Sequence, residues 1–343
     1  MSRRKKMNIA VLMGGFSEER DVSLVSGQGV LEALRRLGHE VCPVDPALPA
    51  EEQADSCLAV IGDTPPGAIS APPPGRVFDW LNLPRILEAE LIFIGLHGGA
   101  GEDGTVQALL ETAGKAYTGT GVLGSALAMN KDRAKALFNE AEVQTAPHLL
   151  TSGTGDIELH RVMETIEAGI GFPVVIKPNN QGSSVGFSFV EKPEYLGPAL
   201  AGSVRYGSEL LVERYIPGRE VTAAVLEGEA LPLVEIIPEG GFYDYTRKYT
   251  KGTSRYEVPA KVERRIEERI KREALLAWNA LGCRDYARVD FRLSEEGEPY
   301  CLEVNTLPGM TELSLVPMAA AEAGLPFDGL VERICLMARE RGR

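Results

Sequence analysis

The start of the chain carries the hydrophobic pattern of a β-α-β unit. An uninterrupted apolar run, NIAVLM at 8–13, is typical of a buried parallel strand, and it ends at Gly14-Gly15. Apolar residues then recur three and four positions apart from Val22 to Leu37, which predicts a helix that stops at Gly38. A short strand is predicted from Glu40 to Val44.

A second strand in this region also ends in a glycine-rich loop. The apolar segment from Leu91 to Leu96 predicts the strand, and HGGAGEDG at 97–104 forms the loop. A helix from about Thr105 to Thr112 follows. Because ligands in open α/β sheets bind where strands end, both loops are candidate binding elements.

The second half of the chain predicts an α+β arrangement. Asn130 is a candidate N-cap for a helix that runs through Glu140. A long amphipathic helix is predicted from Glu263 to Leu281, with Gly282 as its stop. The predicted strands, separated by Gly- and Pro-containing breaks, are PVVIK at 173–177, ELLVE at 209–213, VTAAVLE at 221–227 and LPLVEII at 231–237. The proline-rich stretch 64–76 is assigned no fold.

The segment 287–305 predicts two strands joined by a turn at 295–297, with side chains alternating between faces. Asp290 then shares a face with Arg288 and Arg292, and on the second strand Cys301, Glu303 and Asn305 face one way while Tyr300, Leu302 and Val304 face the other. Asp290, Glu303 and Asn305 can therefore converge, and their oxygens suit Mg²⁺ or Mn²⁺. Taken alone, such a hairpin is more often a solvated sheet face with a surface ion pair.

The loop NNQGSSVGF at 179–187 is a candidate phosphate-binding loop. Its glycines can let backbone amides approach a phosphate, and the hydroxyls of Ser183 and Ser184 add donors. Lys177 closes the preceding strand. The alternative is a flexible hairpin tip with a solvated lysine. Neither a GxxxxGK[ST] loop nor a persuasive GxGxxG fingerprint is present in the sequence.

Composition narrows the class of protein. The chain has 343 residues, enough for two or three domains, and a net charge of −13, which argues against a nucleic-acid partner. No window approaches the ~18 uninterrupted apolar residues of a membrane helix, so no membrane association is expected. The five scattered cysteines predict reduced, packed thiols and a cytoplasmic location.

Eight separated segments of the chain together form a recognisable series of motifs. The segments are GGFSEERDVS at 14–23, HGGAGEDG at 97–104, MNK at 129–131, KPNNQGSSVG at 177–186, ERYIPGRE at 213–220, FYDYTRKY at 242–249, RVD at 288–290 and LEVNTLPGMTELSLVP at 302–317. In this order they resemble the motifs of the D-alanine–D-alanine ligase family of the ATP-grasp superfamily. The resemblance implies a Rossmann-like N-terminal domain at 1–122, a central ATP-grasp subdomain at 123–213 and a C-terminal ATP-grasp subdomain at 214–343.

The resemblance also implies a nucleotide and metal site. Lys131, Lys177 and Ser184 would contact the ATP phosphates. Glu213, Glu220 and the backbone near Ile216 would hold the adenosine. Asp290, Glu303 and Asn305 would bind two Mg²⁺ or Mn²⁺ ions, in agreement with the strand-face argument.

For the amino-acid substrates, the resemblance implies that Glu19 binds the ammonium of the first D-alanine and bonds with Ser183 and Tyr249. His97 would face the same substrate, and Lys248 would approach the transferred phosphoryl group. Arg288 and the Gly309 amide would form an oxyanion hole, while Ser314 and the Leu315 backbone would receive the second carboxylate. Taken alone, Glu19 is more often a helix-start carboxylate and His97 a packed or loop histidine.

The implied activity is ATP-dependent joining of two D-alanines through D-alanyl phosphate, for peptidoglycan precursors, by a homodimer. Thr246-Arg247 departs from the family's usual Glu-Ala but leaves Lys248 and Tyr249 in place. Two alternatives remain. One is a D-alanine–D-lactate or other D-amino-acid ligase, and the other is a catalytically silent ATP-binding regulatory protein.

Overall fold

A computed structural model describes residues 6–53, 76–152, 155–182, 185–238, 254–312 and 314–342. Four predicted site residues lie outside these ranges, as does nearly all of the proline-rich stretch 64–76; the four are Ser183, Ser184, Lys248 and Tyr249.

A three-stranded parallel sheet forms the first unit. Its strands are β1 (Asn8–Leu12), β2 (Glu40–Val44) and β3 (Leu91–Ile94), in the order β2-β1-β3. The helices of this unit are α1 (Arg20–Arg36), α2 (Pro84–Glu88) and α3 (Thr105–Thr112). The predicted β-α-β opening is therefore confirmed, because β1 and β2 pair in parallel and α1 connects them. Gly38, just past α1, has a φ of 84° that favours glycine.

Two helices lead into a four-stranded antiparallel sheet with a core of its own. The helices are α4 (Val122–Met129) and α5 (Lys131–Glu140), and the Asn130 side chain caps α5 by accepting a hydrogen bond from the Arg133 amide. The strands and helices of the unit are β4 (His148–Thr151), α6 (Asp156–Thr165), β5 (Val174–Pro178), β6 (Ser188–Val190), α7 (Leu196–Ser203) and β7 (Leu210–Arg214). The sheet order is β4-β7-β5-β6, and the two helices pack on the side lined by Val174 and Val212.

A six-stranded sheet carries the candidate metal ligands. Its strands are β8 (Arg219–Leu226), β9 (Glu229–Ala230), β10 (Val234–Pro238), β11 (Ser254–Glu257), β12 (Tyr286–Leu293) and β13 (Pro299–Asn305). The order is β11-β10-β8-β12-β13, with β9 paired to the end of β8. Helix α8 (Arg264–Ala280) buries Ile270, Ala274 and Ala277 against one face. The period of its apolar residues had predicted this helix.

The last two helices return to the first unit. Helices α9 (Leu315–Glu322) and α10 (Phe327–Arg341) contribute Val316, Leu330 and Ile334 to the core that contains β1 and β3. The same core takes in one face of the six-stranded sheet, including Ala224 and Ile236. The first unit, the six-stranded sheet and the C-terminal helices therefore share buried apolar surface. Among the described residues, no helix is both long and apolar enough to span a bilayer.

The predicted faces of β13 are wrong at three positions, Tyr300, Cys301 and Leu302. Asp290 pairs with Glu303, but the next residue, Phe291, pairs with Cys301, so Leu302 is an extra residue in the ladder. This β-bulge interrupts the alternation of side chains. Cys301 is consequently buried in the core beside Val304, and Leu302 lines a cleft together with Glu303.

Short turns complete the described chain. A π-helical turn, Ile166–Ile170, extends α6. The 3-10 turns are Ala50–Glu52, Arg76–Asn82, Gly99–Gly101, Pro193–Tyr195 and Val204–Tyr206.

Candidate active site

A cleft of about 530 Å³ lies between the four-stranded and six-stranded sheets. Most of the predicted nucleotide and metal residues line it, together with one residue predicted for the oxyanion hole and one predicted for the acceptor. They are Lys131, Lys177, Glu213, Ile216, Glu220, Arg288, Asp290, Glu303 and Leu315. Residues that are far apart in the sequence therefore meet in one cavity of a size suited to a small-molecule ligand.

Two lysines form the positive wall of the cleft. Lys131 is the first residue of α5, and its Nζ donates to the Gln181 carbonyl at 2.5 Å and lies 3.4 Å from Glu303 Oε2. Lys177 extends from β5, and its Nζ is 2.6 Å from Glu213 Oε1. Both amines line the cleft, so they can offset the charge of a phosphate chain bound there.

Glu213 is held between two lysines, Lys177 of the cleft and the buried Lys135. Its second oxygen lies 3.0 Å from the Nζ of Lys135, which also donates to Thr145 Oγ1 at 2.5 Å. Burial alone would raise the pKa of Glu213, but the two lysines outweigh it and lower the pKa to about 2. Glu213 is therefore a permanent anion at neutral pH. The pKa of Lys177 is raised, since the charges of Glu213 and Glu303 outweigh its burial.

Lys135 was missed by the sequence reasoning. The side chain is fully buried and does not line the cleft, so it acts on the site only through Glu213 and Thr145. The signal was its position four residues after Lys131, which puts both lysines on one face of α5.

Two acidic residues reach the cleft from the hairpin of β12 and β13, here called the acidic hairpin. Asp290 and Glu303 are directly paired across β12 and β13, and both line the cleft. Asp290 accepts two hydrogen bonds from Arg288, at 2.8 and 2.7 Å, and one from Thr222 Oγ1 at 2.6 Å. Asn305 is opposite Arg288 in the same register. The predicted convergence of Asp290, Glu303 and Asn305 at one end of the hairpin is present.

The donor set of this hairpin suits a divalent cation. It comprises two carboxylates and an amide oxygen, which are the hard ligands of Mg²⁺ or Mn²⁺ when phosphate oxygens complete the coordination. The described residues contain no cluster of three or more His, Cys, Asp or Glu residues suited to a metal. A cation here would therefore depend on a bound phosphate for part of its coordination.

A smaller cavity joins Glu19 to the acidic hairpin. Besides Glu19, it is lined by Glu102, Lys131, Glu303 and Asn305. Glu19 is only 7% exposed and immediately precedes α1.

Two glycine loops close around the Glu19 carboxylate. A Cβ on Gly98 would lie 2.7 Å from Glu19 Oε2, and one on Gly182 would lie 3.1 Å from it. Only glycine permits the approach at Gly98, which also has a φ of 67°.

His97 is packed beside this cavity and lines neither of the two cavities. Its Nε2 is 3.0 Å from Ser26 Oγ, and its Nδ1 is 3.6 Å from Glu102 Oε1. Glu102, which the sequence reasoning did not single out, is the residue of that loop that reaches the cavity.

The loop after β13 contains the predicted oxyanion and acceptor residues. Ser314 Oγ accepts a hydrogen bond from the Thr311 amide at 3.0 Å, which folds the loop back at the start of α9. A Cβ on Gly309 would lie 3.0 Å from that oxygen. Leu315 reaches the main cleft, whereas Gly309 and Ser314 line neither cavity.

Arg292 is a further residue that the sequence reasoning did not assign to the site. It lines the cleft, and its Nε donates to the Ile216 carbonyl at 3.1 Å while Nη1 lies 3.8 Å from Glu220 Oε2. Arg292 therefore contacts two of the three residues predicted to hold adenosine, Ile216 and Glu220. Its place on the face shared with Arg288 and Asp290 was the available signal.

Two family models match this chain. The model described as D-ala D-ala ligase N-terminus matches residues 8–120, and the one described as D-ala D-ala ligase C-terminus matches residues 137–336. The D-alanine–D-alanine ligase of Geobacter sulfurreducens is 43% identical over 97% of this chain and 95% of its own length. The ligase of Desulforudis audaxviator is also 43% identical, over 97% of this chain and 99% of its own length.

Solved structures agree with these matches. The D-alanine–D-alanine ligase of Bacillus anthracis complexed with ATP has a TM-score of 0.78 and 28% identity, and 98% of each chain is covered. The VanG D-Ala:D-Ser ligase of Enterococcus faecalis has a TM-score of 0.76 and 29% identity, covering 97% of this chain and all of its own. The multidomain α/β fold and the resemblance predicted from the sequence are both confirmed. The chain belongs to the D-alanine–D-alanine ligase family of ATP-dependent ligases.

Proposed function

We propose that this chain joins two molecules of D-alanine into D-alanyl-D-alanine and converts ATP to ADP and phosphate. The observation that carries the proposal is the single cleft that Lys131, Lys177, Asp290 and Glu303 line together. A carboxylate is a poor electrophile, so amide formation requires an activated acyl group. The γ-phosphoryl group of ATP supplies that activation when the charges around it are offset.

The nucleotide occupies the main cleft in this proposal. Lys131 and Lys177 offset the phosphate charge, while the carboxylates of Glu213 and Glu220 accept hydrogen bonds from the adenine amine and the ribose hydroxyls. The backbone at Ile216 contacts the adenine edge and is held by Arg292. Ser184 and Lys248 stay predictions for the phosphate chain and the transferred phosphoryl group.

The acidic hairpin is the proposed site of two Mg²⁺ or Mn²⁺ ions. Asp290, Glu303 and Asn305 provide the protein oxygens, and the hydrogen bonds from Arg288 and Thr222 orient the Asp290 carboxylate. When bound, the ions neutralise charge on the phosphoryl oxygens.

The two amino acids meet beside the small cavity. Glu19 binds the ammonium of the first D-alanine, whose carboxylate oxygen attacks the γ-phosphorus as ADP leaves. The amine of the second D-alanine then attacks the carbonyl carbon of D-alanyl phosphate, and inorganic phosphate leaves. Arg288 and the Gly309 amide stabilise the oxyanion between these events.

The remaining residues of the proposal bind or orient the substrates. Ser314 and the Leu315 backbone receive the second carboxylate, and His97 supports the first substrate. Ser183 and Tyr249, which would complete the group around Glu19, stay predictions.

The finer assignments follow the family resemblance. We propose a homodimer in the cytoplasm that makes a peptidoglycan precursor and needs no nucleic-acid or membrane partner. The division at 1–122, 123–213 and 214–343 is proposed to separate the functional domains. The separate core of the four-stranded sheet supports a middle unit from β4 to β7, whereas Ala128, Ala134 and Phe138 of α4 and α5 pack in the core of the six-stranded sheet.

One observation favours a second candidate function, in which D-serine takes the place of the second D-alanine. A relative of known structure is a D-Ala:D-Ser ligase. Phosphate release should be measured with ATP, Mg²⁺ and D-alanine, and the dipeptide identified by mass. Parallel reactions offer D-serine or D-lactate with D-alanine at equal concentration. If the mixed product exceeds D-alanyl-D-alanine, D-serine or D-lactate is the preferred acceptor and the proposed one is wrong. If the protein binds ATP but D-alanine does not stimulate phosphate release, it is a regulatory binding protein instead.

A further inference from the structure

One buried hydroxyl connects the two predicted amino-acid subsites. Ser26, in the second turn of α1, is 1% exposed, and its Oγ lies 3.0 Å from His97 Nε2. The same oxygen accepts a hydrogen bond from the Met310 amide at 3.2 Å. His97 belongs to the loop after β3 and Met310 to the loop after β13, so three separate segments meet at one atom.

The contact to Met310 fixes the peptide unit that follows Gly309. The Met310 nitrogen and the Gly309 carbonyl belong to one planar group, so holding the nitrogen limits rotation at Gly309. Glycine is the residue that most needs such restraint, because it lacks the Cβ that narrows backbone freedom elsewhere. On its other side the loop is tied by the hydrogen bond from Thr311 to Ser314.

The Ser26 hydroxyl is also within hydrogen-bond distance of the His97 ring. With one proton and two lone pairs, Ser26 Oγ can accept from Met310 and still bond the imidazole. Nδ1 of His97 faces Glu102 at 3.6 Å, so the ring has a polar neighbour at both nitrogens. The histidine and the peptide after Gly309 therefore share one rigid attachment point on α1.

We propose that Ser26 is a positioning residue that couples the first-substrate loop at His97 to the oxyanion and acceptor loop at Gly309–Ser314. This inference rests on the proposed ligase function. The Ser26 side chain lines neither the main cleft nor the smaller cavity, and it acts by holding the Gly309 amide in line with the carbonyl that the second amine attacks. If the oxyanion donor is displaced, the attack of the second amine on the acyl group becomes slower, while the affinity for ATP does not change.

Ser26→Ala removes the hydroxyl with little change in volume, and Ser23→Ala is its matched control. Ser23 is also buried on α1, but its hydroxyl bonds Gly14 and Gly95 within the first unit, at 2.8 and 2.7 Å. Both variants should lose similar thermal stability, because each loses two buried hydrogen bonds. Only Ser26→Ala should lower kcat for dipeptide formation, by about tenfold, with the ATP Kd unchanged.

Ser26→Cys separates hydrogen bonding from packing. A thiol fills the space but is a weak hydrogen-bond partner, so kcat should fall between those of the serine and alanine proteins. Full activity in Ser26→Cys would overturn the proposal in favour of packing. A double-mutant cycle with His97→Gln should be non-additive, and additive losses would overturn the coupling.

A measurement without turnover keeps this inference distinct from the proposed function. Amide hydrogen exchange at Met310 should accelerate about tenfold in Ser26→Ala and stay unchanged in Ser23→Ala. Unchanged exchange at Met310 in Ser26→Ala would overturn the inference even in an active enzyme. Wild-type protein that lacks D-alanine-dependent turnover would refute the proposed ligase, whatever the exchange shows.

Discussion

Substitution of Lys135 by methionine tests how the chain keeps Glu213 charged in a buried position. Methionine fills the space of the lysine stem but removes the ammonium that lies 3.0 Å from Glu213 Oε2. Lys177, 2.6 Å from the other oxygen, remains. Glu213 would then be a buried anion with one partner instead of two.

The lowered pKa of Glu213 sets the expected loss in the free energy of unfolding. Lowering the Glu213 pKa from its ordinary 4.5 to about 2 corresponds to about 3 kcal/mol of stabilisation, supplied jointly by two lysines. Removing one partner of a buried ion pair costs about 3–5 kcal/mol. Because Lys177 remains, we expect a loss of about 3 kcal/mol in the free energy of unfolding at pH 7.

The pH dependence has a defined sign. The folded pKa of Glu213 lies below its unfolded value, so its contribution is present above pH 4.5 and is lost as the pH falls toward 2. Urea unfolding of both proteins at pH 7 and pH 4 measures the difference. The difference in the free energy of unfolding between wild type and Lys135→Met should be smaller at pH 4. At that pH Glu213 begins to protonate in the unfolded state of both proteins and in the folded state of the variant.

Thr145→Val is the matched control, since it removes the other hydrogen-bond partner of Lys135 and leaves the ion pair. It should cost about 1 kcal/mol and leave the ATP Kd unchanged. Lys135→Met should raise the ATP Kd about tenfold or more, because a Glu213 carboxylate with only one lysine partner is less well oriented to accept a hydrogen bond from the adenine amine. A Lys135→Met protein with wild-type stability and ATP affinity would refute this account of Glu213.

Three other substitutions test separate parts of the molecule. Glu303→Gln should lower turnover at least ~100-fold with the fold intact, and near-normal Mg²⁺-dependent phosphate release would exclude the metal role. Glu19→Gln should weaken D-alanine about tenfold by calorimetry with unchanged ATP binding, whereas equal losses would make Glu19 a structural residue. Ile334→Ala, in the fully buried core, should cost about 2–5 kcal/mol in urea unfolding, and a smaller loss would mean that α10 adds little to the first unit.

Local signals explain which elements the sequence could predict. The cap at Asn130, the stop at Gly38 and the period of α8 each depend on residues within one or two turns, and the structure confirms all three. The period-two pattern of the hairpin likewise brought Asp290 and Glu303 to one face.

Two features of the site depend on information that local patterns lack. The β-bulge at Leu302 follows from how β12 and β13 pair, so strict alternation assigned Cys301 to the wrong face. In the sequence, Lys135 has the pattern of an ordinary polar helix residue, because its partner Glu213 lies on β7 and contacts it only in the folded chain. A buried charge is recognisable only with its partner, and the partner here is distant in sequence.

The division of the core determines which site residues move together. Leu307, Met310 and Leu315 belong to the core of the first unit, so the loop after β13 is fixed to the same body as α1. Lys177 and Glu213 belong to strands of the four-stranded sheet, whose apolar core is separate. Units with separate cores can shift relative to one another, because little apolar surface must be exposed. A movement of the four-stranded sheet over a bound nucleotide would therefore shift Lys177 relative to the acidic hairpin and leave the contact between α1 and Met310 unchanged.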